Sequence, residues 1–258
     1  MKSLFRFCLV AGLGFLAPWL VLAQTVLVEL DFENSGDRLA QTGTAATTFT
    51  PFHGTLTFAA GVSGGSAAVF DGGTSLQASN SPVTTALTIA FWMKTTTDNG
   101  VSGTQWYQGA GLVDGELGGD TTDWGISQIG TQLAFGIGSS DRTIFSTSSL
   151  NTGDWTHVAA TWDTSGIMNL YINGSLEATD ALASTAARGT SNQFLIGKDL
   201  GSGFYTGSLD QIRIYDVALS AGQVAALAAV PEPATYAAFA GLLALGLAVW
   251  RRRRSWKY

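Results

Sequence analysis

The 258-residue sequence contains one cysteine, two histidines and few charged residues, 12% of the total. Each scarcity excludes something. Cys8 lies inside an N-terminal apolar run and lacks the small residues that precede a lipoprotein cysteine, so the rest of the chain has no thiol. Disulfide staples and thiolate metal sites are excluded, and stability must come from burial, hydrogen bonds and any bound metal. His53 and His157 stand far apart, which gives no zinc spacing, and neither neighbours a Ser or Cys nucleophile in a triad context. Between Gln24 and Val230 there are 6 basic against 18 acidic residues, an excess of 12 negative charges. With no Lys/Arg stripe to neutralise phosphates, nucleic acid is excluded as a partner. Helical periodicity is nearly absent, and no internal repeat is evident.

The two ends carry what the middle lacks. Lys2 and Arg6 precede a mostly apolar run, Phe7 to Leu22, that closes on Val21-Leu22-Ala23 with small residues where signal peptidase cuts. Residues 1–23 therefore read as a secretory signal. At the other end, Pro231-Glu232-Pro233 is followed by 17 mostly apolar residues, Ala234 to Trp250, and then by Arg251, Arg252, Arg253 and Arg254. Prolines end the preceding fold, the apolar stretch just crosses a locally thinned bilayer core of roughly 30 Å, and the arginines stay in the cytoplasm. The chain divides into a signal (1–23), a domain of roughly 200 residues (24–229) and a tail (230–258).

That tail resembles the PEP-CTERM sorting signal of Gram-negative bacteria through Val230 to Ala234, the segment Gly241-Leu242-Leu243-Ala244-Leu245-Gly246 and the arginine run. The resemblance implies an integral-membrane exosortase that cuts near the Pro-Glu-Pro. The protein would be held transiently in the inner membrane by the C-terminal helix and end in the cell envelope or outside the cell.

The domain reads as all-β, with short alternating or apolar runs separated by Gly, Ser, Thr, Asn and Asp. Eleven strands are predicted: 25–32, 67–70, 88–95, 125–129, 133–137, 142–145, 156–163, 168–172, 175–179, 193–196 and 208–215. That number requires two sheets or a barrel. Asn173-Gly174, between two such runs, predicts a type I′ hairpin. Ser220 and Gln223 form the Ser-x-x-Gln capping box of one short helix over 220–227. Gln41 to Thr50 and the Gly/Asp-rich Val101 to Asp123 read as long rim loops. Asp114, Glu116, Asp120 and Asp123 form an acidic Gly-rich loop that could take calcium, but without the regular spacing of an EF-hand a solvated loop is the favoured reading.

Four segments in order resemble the laminin-G-like, concanavalin A-like jelly-roll domains of bacterial surface proteins. They are Ala68-Val69-Phe70-Asp71-Gly72, Leu87 to Lys94, Trp155 to Asp163 running into Leu170 to Gly174, and Tyr205 to Tyr215 with Ala218-Leu219-Ser220. The resemblance implies an antiparallel two-sheet sandwich that binds sugars or proteins, accompanies enzymes or serves as surface structure; fold alone does not choose.

Three sets of side chains carry chemistry. Glu29-Leu30-Asp31-Phe32-Glu33 resembles the Glu-x-Asp-x-Glu motif of laminarinase- and lichenase-type β-glucanases. Strand alternation would place its carboxylates on one face, and the resemblance makes Glu29 a nucleophile, Asp31 its partner and Glu33 the acid/base of a retaining hydrolysis. The alternative is an acidic outer face on a first strand. In many jelly-roll binding modules a carboxylate near the first strand and one near the last meet at a structural calcium ion; here Asp31 or Glu33 would meet Asp210. Trp92, Trp155 and Trp162 occupy strand positions of the family this domain resembles and read as core, whereas Trp106, Tyr107 and Trp124 fall in the Gly-rich loop region, where exposed rings could stack on sugars. The resulting expectation is an exported, non-enzymatic module for extracellular polysaccharide or a surface protein. A glucanase-like hydrolase and a purely structural envelope or biofilm protein stand as alternatives.

Overall fold

The computed structural model describes residues 24–229 apart from 84, 99–101, 117–121, 139–141, 190–192 and 202. The predicted signal and the sorting tail lie outside the described residues. Among the described residues no helix is long and apolar enough to cross a membrane.

In chain order the elements are β1 (Val26–Leu30), β2 (Phe49–His53), β3 (Thr57–Ala60), β4 (Ser66–Asp71), β5 (Ser75–Ala78), β6 (Leu87–Lys94), a 3-10 turn (Trp106–Gln108), β7 (Ala110–Glu116), β8 (Trp124–Ile129), β9 (Gln132–Ile137), β10 (Arg142–Phe145), β11 (Thr156–Trp162), β12 (Met168–Ile172), β13 (Ser175–Asp180), β14 (Gln193–Ile196), β15 (Thr206–Tyr215) and α1 (Ala221–Leu227). One sheet runs β13-β12-β11-β6-β15-β4-β3, with β1 beside the second half of β15, and the other runs β10-β9-β8-β7-β14-β5-β2. This is the antiparallel two-sheet jelly roll that the family resemblance implies, and it decides between the two sheets and the barrel that the strand count left open.

Alternation explains the layers. On β6, Leu87, Ile89, Phe91 and Met93 enter the central core together with Val158, Ala160 and Trp162 of β11, and register places Phe91 opposite Val158. Their alternates Ala90 and Ala159 face outward, where Tyr171, Tyr215, Leu219 and Val224 cover them, so this sheet is buried on both faces at its centre. That accounts for the unbroken apolar run of β6. The covering element is α1, capped as its sequence predicts: the Gln223 N–H reaches Ser220 Oγ at 3.4 Å, and the Ser220 N–H donates to Gln223 Oε1 at 2.9 Å.

The Asn173-Gly174 hairpin is also present, with φ of 50° and 79°. A Cβ at Gly174 would lie 3.0 Å from Ala225 Cα, so the turn both needs positive φ and abuts α1. Gly174→Ala is expected to cost about 1–2 kcal/mol, a fall of roughly 4 °C in the midpoint of thermal unfolding.

Four strands were not legible. The segments predicted as rim loops contain the start of β2 and all of β7, and β3 and β5 were likewise unpredicted. Pro51 disguises β2, which is tolerable because β2 is an edge strand. Gly111, Gly115, Asp114 and Glu116 disguise β7, yet β7 lies within its sheet, paired to β8 and β14.

Candidate functional site

The Glu29-x-Asp31-x-Glu33 motif does not form one strand face. β1 ends at Leu30, and Phe32 adopts φ 57° so that its ring turns into the core. Alternation therefore stops before Asp31, whose Oδ1 instead accepts the Glu33 N–H at 3.1 Å. Glu29 is paired with Arg213 of β15 at 2.7 Å. The register Glu29↔Arg213 places both on the outward side of the sheet, away from the core residues Val28 and Leu30.

Asp210 has a different setting. It lies where β4 and β1 meet along β15, at a register shift between Asp210 and Arg213, with Gln211 at φ 48°. The carboxylate is 1% exposed; Oδ2 accepts the Val62 N–H at 2.9 Å and Oδ1 the Gln211 N–H at 2.7 Å. Burial raises its pKa to about 6 against the lowering effect of those two amides, and the charges of Glu33 and Asp31 add to the rise. Glu33 accepts the Ser66 N–H at 3.0 Å, so the turn from Gly61 to Ser66 is held between the two carboxylates. The structure thus brings Asp31 and Glu33 into electrostatic range of Asp210. Among the described residues no three His, Cys, Asp or Glu side chains converge on one point as a metal cage. Carboxylate oxygens are hard donors of the kind calcium takes, and both of those of Asp210 are engaged by backbone amides.

The acidic loop expected to be solvated is partly buried instead. Asp114 and Glu116 are on β7, Asp120 lies outside the described residues, and Asp123 is buried. Asp114 is pushed well above the usual carboxylate range by burial first and then by Glu116, Asp199 and Asp123. Its neighbour Glu116 accepts the Leu200 N–H at 3.2 Å, and Asp199 accepts the Gly203 N–H at 2.7 Å. The β14–β15 connection therefore closes over this part of the outer face.

The predicted stacking residues divide. Trp106 is 1% exposed and Trp124 is 0% exposed, so neither presents a free face; both are corrections to the loop-aromatic expectation. Trp124 begins β8 and faces the central core, 5.6 Å from the Phe194 ring. The Trp106 indole sits on the outward side of the second sheet, in the space where Cβ atoms of Gly125 and Gly136 would sit. Those two glycines are paired across β8 and β9, a platform that only glycine provides. Tyr107, edge-on to Trp106 at 5.9 Å, remains at the surface. His157 is 2% exposed, lies edge-on to Trp92 at 5.2 Å, and is held to a pKa of about 4 by burial and by Arg213; it is a packing residue. His53 is hydrogen-bonded to Ser75 Oγ at 2.9 Å and meets the rings of Phe52 and Phe204 edge-on.

The sequence over residues 70–225 matches a known family, described as the concanavalin A-like lectin/glucanases superfamily. The chain belongs to that superfamily. Residues 229–254 match the PEP-CTERM protein-sorting motif, which implies export, cell-envelope sorting and processing by an exosortase-type system. Among solved structures, the concanavalin A-like domain resembles domain 4 of AbnA, an extracellular arabinanase of Geobacillus stearothermophilus, solved in complex with arabinotriose. The identity is 23% and the TM-score 0.62, over 80% of this chain and 98% of that one. It also resembles the binding domain of Paraclostridial mosquitocidal protein 1 (15% identity, TM-score 0.61, 79% of this chain and 52% of that one) and the botulinum neurotoxin serotype G binding domain (18%, 0.60, 79% and 50%). The chain spans about half the length of those two toxin domains. No curated protein matches the sequence. At these identities the structural likenesses establish the fold.

Proposed function

We propose that the exported concanavalin A-like domain is a non-catalytic binding module for extracellular polysaccharide, delivered by its sorting tail to the cell envelope or the matrix outside it. The observation that carries this reading is the likeness over nearly the full length of a domain solved with a bound oligosaccharide. The hydrolase alternative loses its geometric support, because Glu29 is tied to Arg213 and the three carboxylates do not share a strand face. A protein ligand and a purely structural envelope role remain as outcomes of the test. Calcium at Asp210, with Asp31 and Glu33 nearby, is proposed as a structural clip rather than a catalytic ion.

The test is a pull-down of the protein across insoluble polysaccharides, arabinan included, in calcium and then in chelator, with released sugar assayed in the same tubes. Retention without release is the expected result. Release of reducing sugar that disappears in Glu29→Gln would restore the hydrolase. Neither retention nor release would shift the reading to a protein ligand or a structural role.

A further inference from the structure

The two long sides of the sandwich differ. On one, β10 and β13 are tied together: Arg142 pairs with Asp180, and Glu177 accepts the backbone amides of Thr147 at 2.7 Å and Ser148 at 3.0 Å. On the other, the edge strands β2 and β3 leave an open cleft of about 530 Å³, whose lining includes Ser35, Arg38, Pro51, Thr55 and Phe58. A second cleft of about 400 Å³, between residues 37–41 and 45–49, adjoins this groove at Asp37 and Leu39.

Arg38 is fixed in the wall of that groove. Its Nη1 donates to the Phe32 carbonyl at 2.7 Å, and its guanidinium carbon lies 5.0 Å over the Phe58 ring. Phe58 in turn rests 6.2 Å from Phe32. Elsewhere Arg142, Lys198 and Arg213 are paired with Asp180, Asp199 and Glu29. Arg38 has no carboxylate partner among the described residues, in a domain where acids outnumber bases three to one. The adjacent Asp37 turns its Oδ1 to the Leu39 N–H at 3.1 Å. A half-buried guanidinium anchored on one nitrogen keeps most of its planar donors for a ligand and loses little side-chain entropy on binding one.

We propose that Arg38 forms a subsite for the carboxylate of a uronic-acid residue in an extracellular polysaccharide. This rests on the glycan-binding reading above and names the sugar class. The planar fork matches a carboxylate with two parallel hydrogen bonds. The groove volume falls in the range of small-ligand sites. Its other polar groups, the hydroxyls of Ser35 and Thr55 and the backbone at Gly36 and Gly54, suit the hydroxyls of a sugar ring. The domain's negative excess opposes densely charged polymers, so the fitting partner carries uronates spaced along a largely neutral chain.

The test uses the full chain in mild detergent, with chelator and physiological salt. Galacturonate, glucuronate and mannuronate oligosaccharides are titrated beside their methyl esters, which keep the ring and remove the charge. The expected result is that at least one acid form binds 10-fold or more tighter than its ester. Arg38→Gln should remove that preference, bringing the affinity for the acid down to that for its ester. Equal affinity for acid and ester, or an Arg38→Gln variant that weakens acid and neutral sugars alike, would overturn the proposal. Retention on neutral polysaccharide without any acid preference would sink the uronate subsite and leave the glycan-binding reading standing; no retention at all would sink both. A free-carboxylate tripeptide bound in preference to its amide and to every uronate would also overturn it, in favour of a peptide ligand. A merely structural Arg38 would shift the thermal midpoint of Arg38→Gln and leave the acid-to-ester ratio intact.

Discussion

Replacing Trp106 with alanine is expected to lower the thermal midpoint of the protein by on the order of 10 °C while leaving polysaccharide retention at low temperature near wild type. The indole is 1% exposed and seated on Gly125 and Gly136, while the residue's backbone is held separately: the Trp106 carbonyl accepts a hydrogen bond from Ser127 Oγ, and its backbone N–H donates to Thr143 Oγ1 at 3.2 Å. Deleting a buried ring of this size removes transfer free energy and leaves a cavity that strands β8 and β9 cannot fill, because their facing residues are glycines. Large-to-small core changes of this kind cost about 4 kcal/mol, and a domain of roughly 200 residues loses a few degrees per kcal/mol. Differential scanning calorimetry alongside the pull-down separates the roles. An unchanged midpoint with lost retention would make Trp106 a stacking residue and overturn the packing account. The opposite substitution makes the same point from the platform side, since a Cβ at Gly136 would collide with the indole.

Much of the fold was legible because its evidence is local. The alternation in β6 and β11, the Asn173-Gly174 turn and the Ser220 capping box all write their geometry into neighbouring residues. Trp106 was misread because its burial depends on two glycines at positions 125 and 136, which become a platform only once β8 and β9 pair. A signal was present: both glycines interrupt otherwise apolar strand patterns, where glycine marks close approach of another group. β7 was missed for a related reason. Glycine and carboxylates suggest loop, and only the approach of Asp199 and Leu200 to Asp114 and Glu116 makes that composition suit a buried strand. The Glu29-x-Asp31-x-Glu33 motif failed at one backbone angle, the positive φ of Phe32, which no residue type there announces. The cluster at Asp210 was partly legible, since its residues were named from the resemblance, although a strand end and a turn were needed to bring Asp31 and Glu33 within range of it.

Asp210 supplies the second large effect, in pH and calcium together. Its carboxyl has a pKa of about 6 in the folded protein against an ordinary value of 3.8, raised mainly by burial. Below the ordinary value both folded and unfolded chains hold the proton. Between about 4 and 6 the unfolded chain releases it while the folded chain retains it, so stability falls as pH rises through that window and levels off above it. Discounted for solvent screening, the contribution is on the order of 1–2 kcal/mol, which predicts a fall of roughly 5 °C in the thermal midpoint between pH 4.5 and pH 7 in chelator. Asp114 and Glu116, also raised by burial, change stability in the same direction, so the slope belonging to Asp210 is the part that Asp210→Asn removes. A calcium ion liganded by Asp210 favours the ionised carboxylate and reverses the sign. In calcium the midpoint should hold or rise toward pH 7, and the gap between calcium and chelator should widen with pH and vanish in Asp210→Asn. Identical midpoints in calcium and chelator at pH 7 would remove the ion and leave Asp210 a buried acid whose cost the strand junction bears through the amides of Val62 and Gln211.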